Sequence, residues 1–303
     1  MEAIWQLGAE IIIAIQTVHN PVVDVFFNVV TLLGSEEFYL LLLPLLYWCV
    51  DKHLAQRLAY LFLLSAYTNA AFKSLFRHPR PFQYDLRVLK LDHASPADLS
   101  YGLPSGHAQS ALTVWGYLAI QARRGWVRAL ALPLAFLIAF SRIYLGVHFP
   151  SDVVVGLLVG AIWLALFLWL EPPFTLWASR QSAAMQAGLA VAGPLVLLLF
   201  HTSQDAASAL GVLIGLGVGI VVESRTLRFS SGGPLGQRAL RFMIGILIVL
   251  ALREGLKLLF PHDSEALYVQ FRVIRYSMIG LWVALVGPWL FRRIGLMEGQ
   301  SVN

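Results

Sequence analysis

Apolar runs broken at intervals by short polar or proline-bearing stretches dominate the chain from Ile4 to Leu290. The runs at 36–50, 55–72, 106–122, 127–145, 152–170, 183–200, 208–222, 238–260 and 272–291 read as helices crossing a hydrocarbon core of about 30 Å. Their weak period-2 alternation argues against an outer-membrane barrel. Two shorter apolar segments, 4–19 and 22–33, are split by Asn20-Pro21, where proline cannot continue the preceding helix. They read as interfacial or re-entrant helices, or as one broken span. The pattern predicts an all-α, polytopic helical bundle with about nine crossings, ten if the N-terminus contributes one.

Composition agrees with that pattern. Of 303 residues, 58% are hydrophobic and 13% charged, with a mean hydropathy of +0.70, which is far from an ordinary soluble domain. The single cysteine, Cys49, lies within an apolar run and excludes an intramolecular disulfide or a cysteine metal cluster. The opening MEAIWQLGAE lacks the basic start and cleavage site of a signal peptide, so the N-terminus is expected to be retained. The net charge of +5 comes from arginine-rich loops, which suit lipid head groups rather than nucleic acid. Lys52, Arg57, Arg123, Arg124, Arg128, Arg180, Arg225, Arg228, Arg238, Arg241, Arg292 and Arg293 mark one side as cytoplasmic. The polar loop 73–104 and the stretch 141–152 then share the opposite face: the periplasm or exterior of a plasma (inner) membrane, or a lumen in a eukaryote.

That face carries the chemistry. SRIYLGVHFPSD at 141–152 places Ser141, Arg142, His148 and Asp152 between two apolar stretches, and such groups near lipid are costly unless they function. His148 and Asp152 are four apart, with Asp152 in the first turn of the next helix. It either caps that helix or holds the imidazole by one ring nitrogen and leaves the other free to attack. KSLFRHPRP supplies Lys73, Arg77 and Arg80 at a span end, and YGLPSGHAQS sets Pro104, Ser105 and Gly106 before His107 at a helix N-terminus suited to an anion. Two histidines, one carboxylate, three cations (Lys73, Arg80, Arg142) and a helix N-terminus are what phosphoryl transfer requires. No second carboxylate or third histidine falls at ligand spacing, so no metal and no other cofactor is expected. His78 is assigned to the interface rather than to substrate, and the tryptophans to membrane-interface anchoring.

These segments match K-x6-RP, PSGH and SR-x5-H-x3-D at every fixed position: Lys73, Arg80 and Pro81; Pro104 to His107; Ser141, Arg142, His148 and Asp152. In this the chain resembles the type-2 phosphatidic acid phosphatases, a membrane branch of the superfamily shared with vanadium haloperoxidases. The resemblance covers about 20–171. It implies a six-helix core, a phosphorylated lipid substrate, and a metal-independent reaction through a phosphohistidine. His148 would be the nucleophile, Asp152 its orienting partner and His107 the acid and then base. Lys73, Arg80 and Arg142, helped by Ser105 and Gly106, would bind the phosphate. A phosphotransferase using the same intermediate, and a non-catalytic transporter or flippase, are the alternatives.

The expected organisation is N-terminal helices at 1–35, a phosphatase core at 36–171, and about four further spans at 172–303. EEFYLLLLPLLYW at 36–48 and the long C-terminal region are similar, more loosely, to sphingosine-phosphate phosphatases. ALREGLKLLFPH at 251–262 echoes NAAFKSLFRHP at 69–79. Lys257 and Arg275 are thus either further head-group ligands or, with Glu254 paired to Lys257, part of a solvated helix end. Choice of lipid is expected to rest with the loop 82–103 and the C-terminal spans.

Overall fold

The computed structural model describes residues 2–93, 100–260 and 267–297, and the regular elements among them are helices. In chain order they are α1 (Glu2–Gln16), α2 (Pro21–Leu32), α3 (Glu36–Cys49), α4 (Lys52–Phe76), α5 (Pro81–Tyr84), α6 (Gly106–Gln121) and α7 (Gly125–Tyr144). Then come α8 (Pro150–Ser179), α9 (Ala183–Phe200), α10 (Gln204–Thr226), α11 (Leu235–Leu259), α12 (Tyr268–Leu281), a π-helical segment (Trp282–Val286) and α13 (Gly287–Arg293). The all-α expectation holds. Among the described residues five stretches are long and apolar enough to cross a membrane: α7, α8, α9, α10, and Tyr268–Arg293 as one; α2 and α3 pass as a pair bent by 48°.

The short N-terminal segments are thus separate helices, and the start of α2 is sequence-readable. Asn20 caps α2 by accepting from the N–H groups of Val22 and Val23, with Pro21 in the first turn.

The chain forms two compact units that do not follow sequence order. The first comprises Met1–Tyr39 and Thr68–Trp169, so α1 and α2 belong with the motif-bearing segments. Its core includes Val30, Ala111, Ala135 and Ile138 where α2, α6 and α7 meet. Ala9, Ile12, Val88 and Phe149 form a second cluster that joins α1 to the start of α8. Gln16, buried at the end of α1, bonds the carbonyls of Leu89 and Tyr144 and accepts from the Leu89 amide.

The second unit comprises Leu40–Tyr67 and Leu170–Asn303. There α10 and α12 lie backbone to backbone: a Cβ at Gly215 would sit 1.9 Å from the Ser277 carbonyl oxygen, and one at Gly280 2.4 Å from that of Val212. Buried Lys52 pairs with buried Glu223 at 3.1 Å. In the echo of the first motif, Glu254 contacts Arg253 at 3.6 Å rather than Lys257. Lys257 is exposed, and Arg275 is buried with its guanidinium 5.2 Å from the Tyr276 ring. Pro261 and His262 of that echo, and residues 94–99 of the loop 82–103, lie outside the described residues.

Candidate active site

All eight residues singled out for chemistry lie in the first unit. The first motif begins on the last turn of α4, where Lys73 donates to the Ser100 hydroxyl at 2.7 Å. The helix stops at Phe76 because Arg77 turns into the left-handed region at φ 50°, and two prolines then stiffen the exit. Arg80 is carried inward and is 3% exposed. Its guanidinium donates to the carbonyls of Ser100 and Val147 at 2.8 Å each, and Nη1 lies 2.7 Å from Nε2 of His148. Burial, then the neighbouring Arg142, lowers its pKa to about 10, which leaves it cationic at neutral pH.

The second motif opens α6. Ser105 caps it, its hydroxyl oxygen accepting the Ala108 N–H, while its own N–H donates to the Asp152 carbonyl at 3.0 Å. That backbone bond ties the second motif to the third. Gly106 packs against Asn69, which donates to Gln109 at 2.8 Å. His107 is half-buried on the first turn and lies beside Gly34.

The third motif spans the turn from α7 to α8. Arg142, on the last turn of α7, donates through Nη1 to Asp92 at 2.8 Å and to the Thr31 hydroxyl at 2.6 Å. The Arg142 carbonyl accepts from the amides of Val147 and His148 and folds the turn back on itself. His148 is 2% exposed. Its Nδ1 lies 3.5 Å from Oδ2 of Asp152, longer than a hydrogen bond, so the contact between them is electrostatic. Because guanidinium only donates, Nε2 facing Arg80 carries the lone pair and Nδ1 the proton. Burial first, then Arg80, Arg142, Lys73 and His107, push the His148 pKa well below the usual imidazole value. Its ring is therefore neutral at physiological pH.

Asp152 caps the helix, and it faces His148 without a hydrogen bond to it. Its Oδ2 accepts the Phe149 N–H at 3.0 Å, half of a capping box at the start of α8, and the same oxygen faces His148. His148, Asp152 and Arg80 form one contiguous cluster, and Lys73 is linked to Arg80 through Ser100. Arg142 is held by Asp92 and Thr31, which the sequence reading did not select, and no spacing rule connects them. His78 was placed at the interface but is buried, with Nδ1 3.4 Å from Oδ1 of Asp152. Its signal was position alone, two residues before Arg80.

Comparison with known proteins bears on the family to which the chain belongs. A model of the PAP2 superfamily matches residues 55–176, and one described as PAP2 superfamily phosphatase, transmembrane extension, matches 207–299. Lipid phosphate phosphatase delta from Arabidopsis thaliana is 27% identical over 89% of this chain and 71% of its own. Sphingosine-1-phosphate phosphatase 2 from Mus musculus is 26% identical over 88% and 86%. Among solved structures, Aquifex aeolicus LpxE aligns with a TM-score of 0.47 and 32% identity, over 52% of this chain and 93% of its own. The match at 207–299 falls on α10 to α13. With its three motifs intact on one unit and both models matched, the chain belongs to the PAP2 superfamily of integral membrane phosphatases.

Proposed function

We propose that this protein hydrolyses the phosphate ester of a membrane lipid through a phosphohistidine on His148, without a metal ion. The observation that carries the reading is the His148 ring: neutral, protonated toward Asp152, and presenting the lone pair of Nε2 beside the guanidinium of Arg80. A phosphate held by Arg80 lies next to that lone pair. The Arg80 Nη1–H passes from Nε2 of His148 to a phosphate oxygen, the freed Nε2 lone pair attacks phosphorus as the ester P–O bond breaks, and His107 gives its proton to the leaving oxygen. His107 then takes a proton from water; the hydroxide attacks phosphorus, the P–N bond breaks and inorganic phosphate leaves. Lys73, Arg80 and Arg142, with Ser105 and the Gly106 amide, neutralise the phosphate oxygens.

The relatives' names put a sphingoid or other lipid phosphate monoester first as substrate. We further infer nine or ten crossings, with α4, α6 and α11 joining the more apolar spans and the motif-bearing loops on the non-cytoplasmic face. The arginine and lysine distribution supports that orientation.

The test is phosphate release by purified protein from sphingosine phosphate, phosphatidate, phosphatidylglycerophosphate and undecaprenyl diphosphate, each with chelator present. Release from at least one lipid, unaffected by chelator and abolished in His148→Ala, is expected. Loss of activity in chelator, or turnover by His148→Ala, overturns the mechanism.

A further inference from the structure

One turn of chain reaches both ends of the His148–Asp152 pair. After α4, Arg77 at φ 50° swings the next residues inward. Arg80 meets Nε2 of His148 at 2.7 Å, whereas His78 meets the far oxygen of Asp152, with Nδ1 3.4 Å from Oδ1. The four side chains therefore line up as His78, Asp152, His148 and Arg80, and all are buried.

His78 is fixed on its other sides. Its carbonyl accepts the Gly102 N–H at 2.9 Å, and its ring meets Trp5 of α1 edge-on at 5.0 Å and 83°. Gly102 itself admits no side chain: a Cβ there would lie 2.8 Å from the Pro79 carbonyl oxygen and 3.0 Å from Oδ2 of Asp152. Packing against Trp5 and Gly102 explains a ring at this position, and a phenylalanine would satisfy it equally. It does not explain a ring nitrogen directed at a carboxylate. Nδ1 of His78 and Oδ1 of Asp152, 3.4 Å apart, have no hydrogen-bond partner at closer range among the described residues, and a buried carboxylate oxygen left unpaired is costly.

We propose that His78 is a positioning residue for the phosphoryl-transfer reaction, donating from Nδ1 to Oδ1 of Asp152 so that Oδ2 stays directed at Nδ1 of His148. The proposal rests on the reading of His148 as nucleophile. A hydrogen bond closed from His78 to Oδ1 across the 3.4 Å contact, added to the one Oδ2 accepts from the Phe149 amide at 3.0 Å, fixes the carboxylate plane. Without His78 the carboxylate rotates or takes up a proton, and either weakens its hold on His148. His78 contacts Asp152 on the oxygen away from His148, so a positioning role is expected to show in kcat rather than KM.

Two substitutions separate the donor from the ring. His78→Phe keeps the ring against Trp5 and removes the N–H; His78→Asn removes the ring and keeps a donor nitrogen at nearly the same reach. Lipid phosphate hydrolysis and the affinity for orthovanadate, a five-coordinate mimic of the phosphoryl-transfer transition state, are measured for both. The expected result is that His78→Phe loses about tenfold in kcat and in vanadate affinity with KM unchanged, the size of a lost hydrogen bond to a charged group, while His78→Asn stays near wild type. Unchanged kcat and vanadate affinity in His78→Phe, equal losses in both variants, or a rise in KM alone would overturn the proposal. If the wild-type protein binds vanadate but hydrolyses no lipid phosphate, the hydrolase reading fails, and the vanadate affinities still decide the role of His78.

Discussion

Arg80 and His148 are joined directly, Nη1 of the guanidinium donating to Nε2 of the imidazole at 2.7 Å. The same guanidinium spans the carbonyls of Ser100 and Val147. One planar fork therefore selects the tautomer of His148 with its lone pair on Nε2, and under the proposed mechanism it also sets where phosphate binds beside that atom. Lysine keeps the charge but offers a single compact donor on a flexible stem, and it cannot span those three partners. Arg80→Lys is expected to lower kcat/KM by about a hundredfold while circular dichroism and detergent extraction stay normal. Steady-state phosphate release checks it, and activity within a factor of about three of wild type would contradict the arrangement.

The lowered His148 pKa sets the acid side of the activity profile. Under the proposed mechanism the nucleophile is the neutral ring, and burial, then Arg80, hold the His148 pKa well below the ordinary imidazole value. The acid limb of kcat/KM attributable to His148 is expected below pH 6.5, and removing the Arg80 charge in Arg80→Gln is expected to move that limb upward. The effect on stability has the same origin. With the folded-state pKa depressed below the unfolded value, the unfolded chain binds the extra proton first. Stability is therefore lost as pH falls through the unfolded value toward the folded one. Thermal unfolding in detergent between pH 7 and 5 should show Tm falling in wild type and falling less in His148→Phe.

Much of the site was legible because its chemistry is local in sequence. His148 and Asp152 share one turn, Lys73 and Arg80 share one helix end, and Ser105 caps the helix that carries His107. The periodicity likewise marked the apolar helices. What could not be read is what the fold brings from a distance. Asp92 and Thr31 reach Arg142 across 50 and 111 residues, and Gln16 ties α1 to the Tyr144 carbonyl across 128. The grouping of α1 and α2 with the motif-bearing segments has the same character, since it rests on contacts such as Ala9 and Ile12 with Phe149. His78 was visible, but its role depends on which way Arg77 turns the chain. A positive φ on an arginine has no sequence signature.

Asp92 and Arg142 form a buried ion pair, with side chains 8% and 4% exposed. Removing one partner leaves a buried charge, which typically costs about 3 kcal/mol. Asp92→Asn retains the shape and one acceptor but removes the charge that offsets Arg142. The variant is expected to unfold earlier than wild type and to be stabilised more than wild type by millimolar inorganic phosphate, because the anion supplies the missing charge. Tm with and without phosphate decides it. Equal phosphate shifts in the two proteins would mean that Arg142 does not face the phosphate position.

Gly146 lies two residues before His148, at φ +71°. A Cβ there would come 2.1 Å from the Leu89 carbonyl oxygen, and Leu89 is itself fixed by two hydrogen bonds to Gln16. The neighbouring Leu145 carbonyl accepts the Leu91 N–H at 3.1 Å, so the segment around Leu89 cannot retreat without releasing the turn. Gly146→Ala therefore adds a left-handed backbone penalty of about 1–2 kcal/mol to a clash with backbone. Gly188 in α9 is the natural control, because nothing lies within 4 Å of a Cβ there and alanine favours a helix by up to about 1 kcal/mol. Gly188→Ala is expected to leave activity unchanged and stability equal or slightly higher. Gly146→Ala is expected to lose activity out of proportion to stability, since the turn it distorts delivers Val147 and His148 to Arg80. Phosphate release measured beside thermal unfolding separates the two effects. A Gly146→Ala protein with wild-type kcat would show that the turn tolerates the shift and that His148 is placed by Asp152 alone.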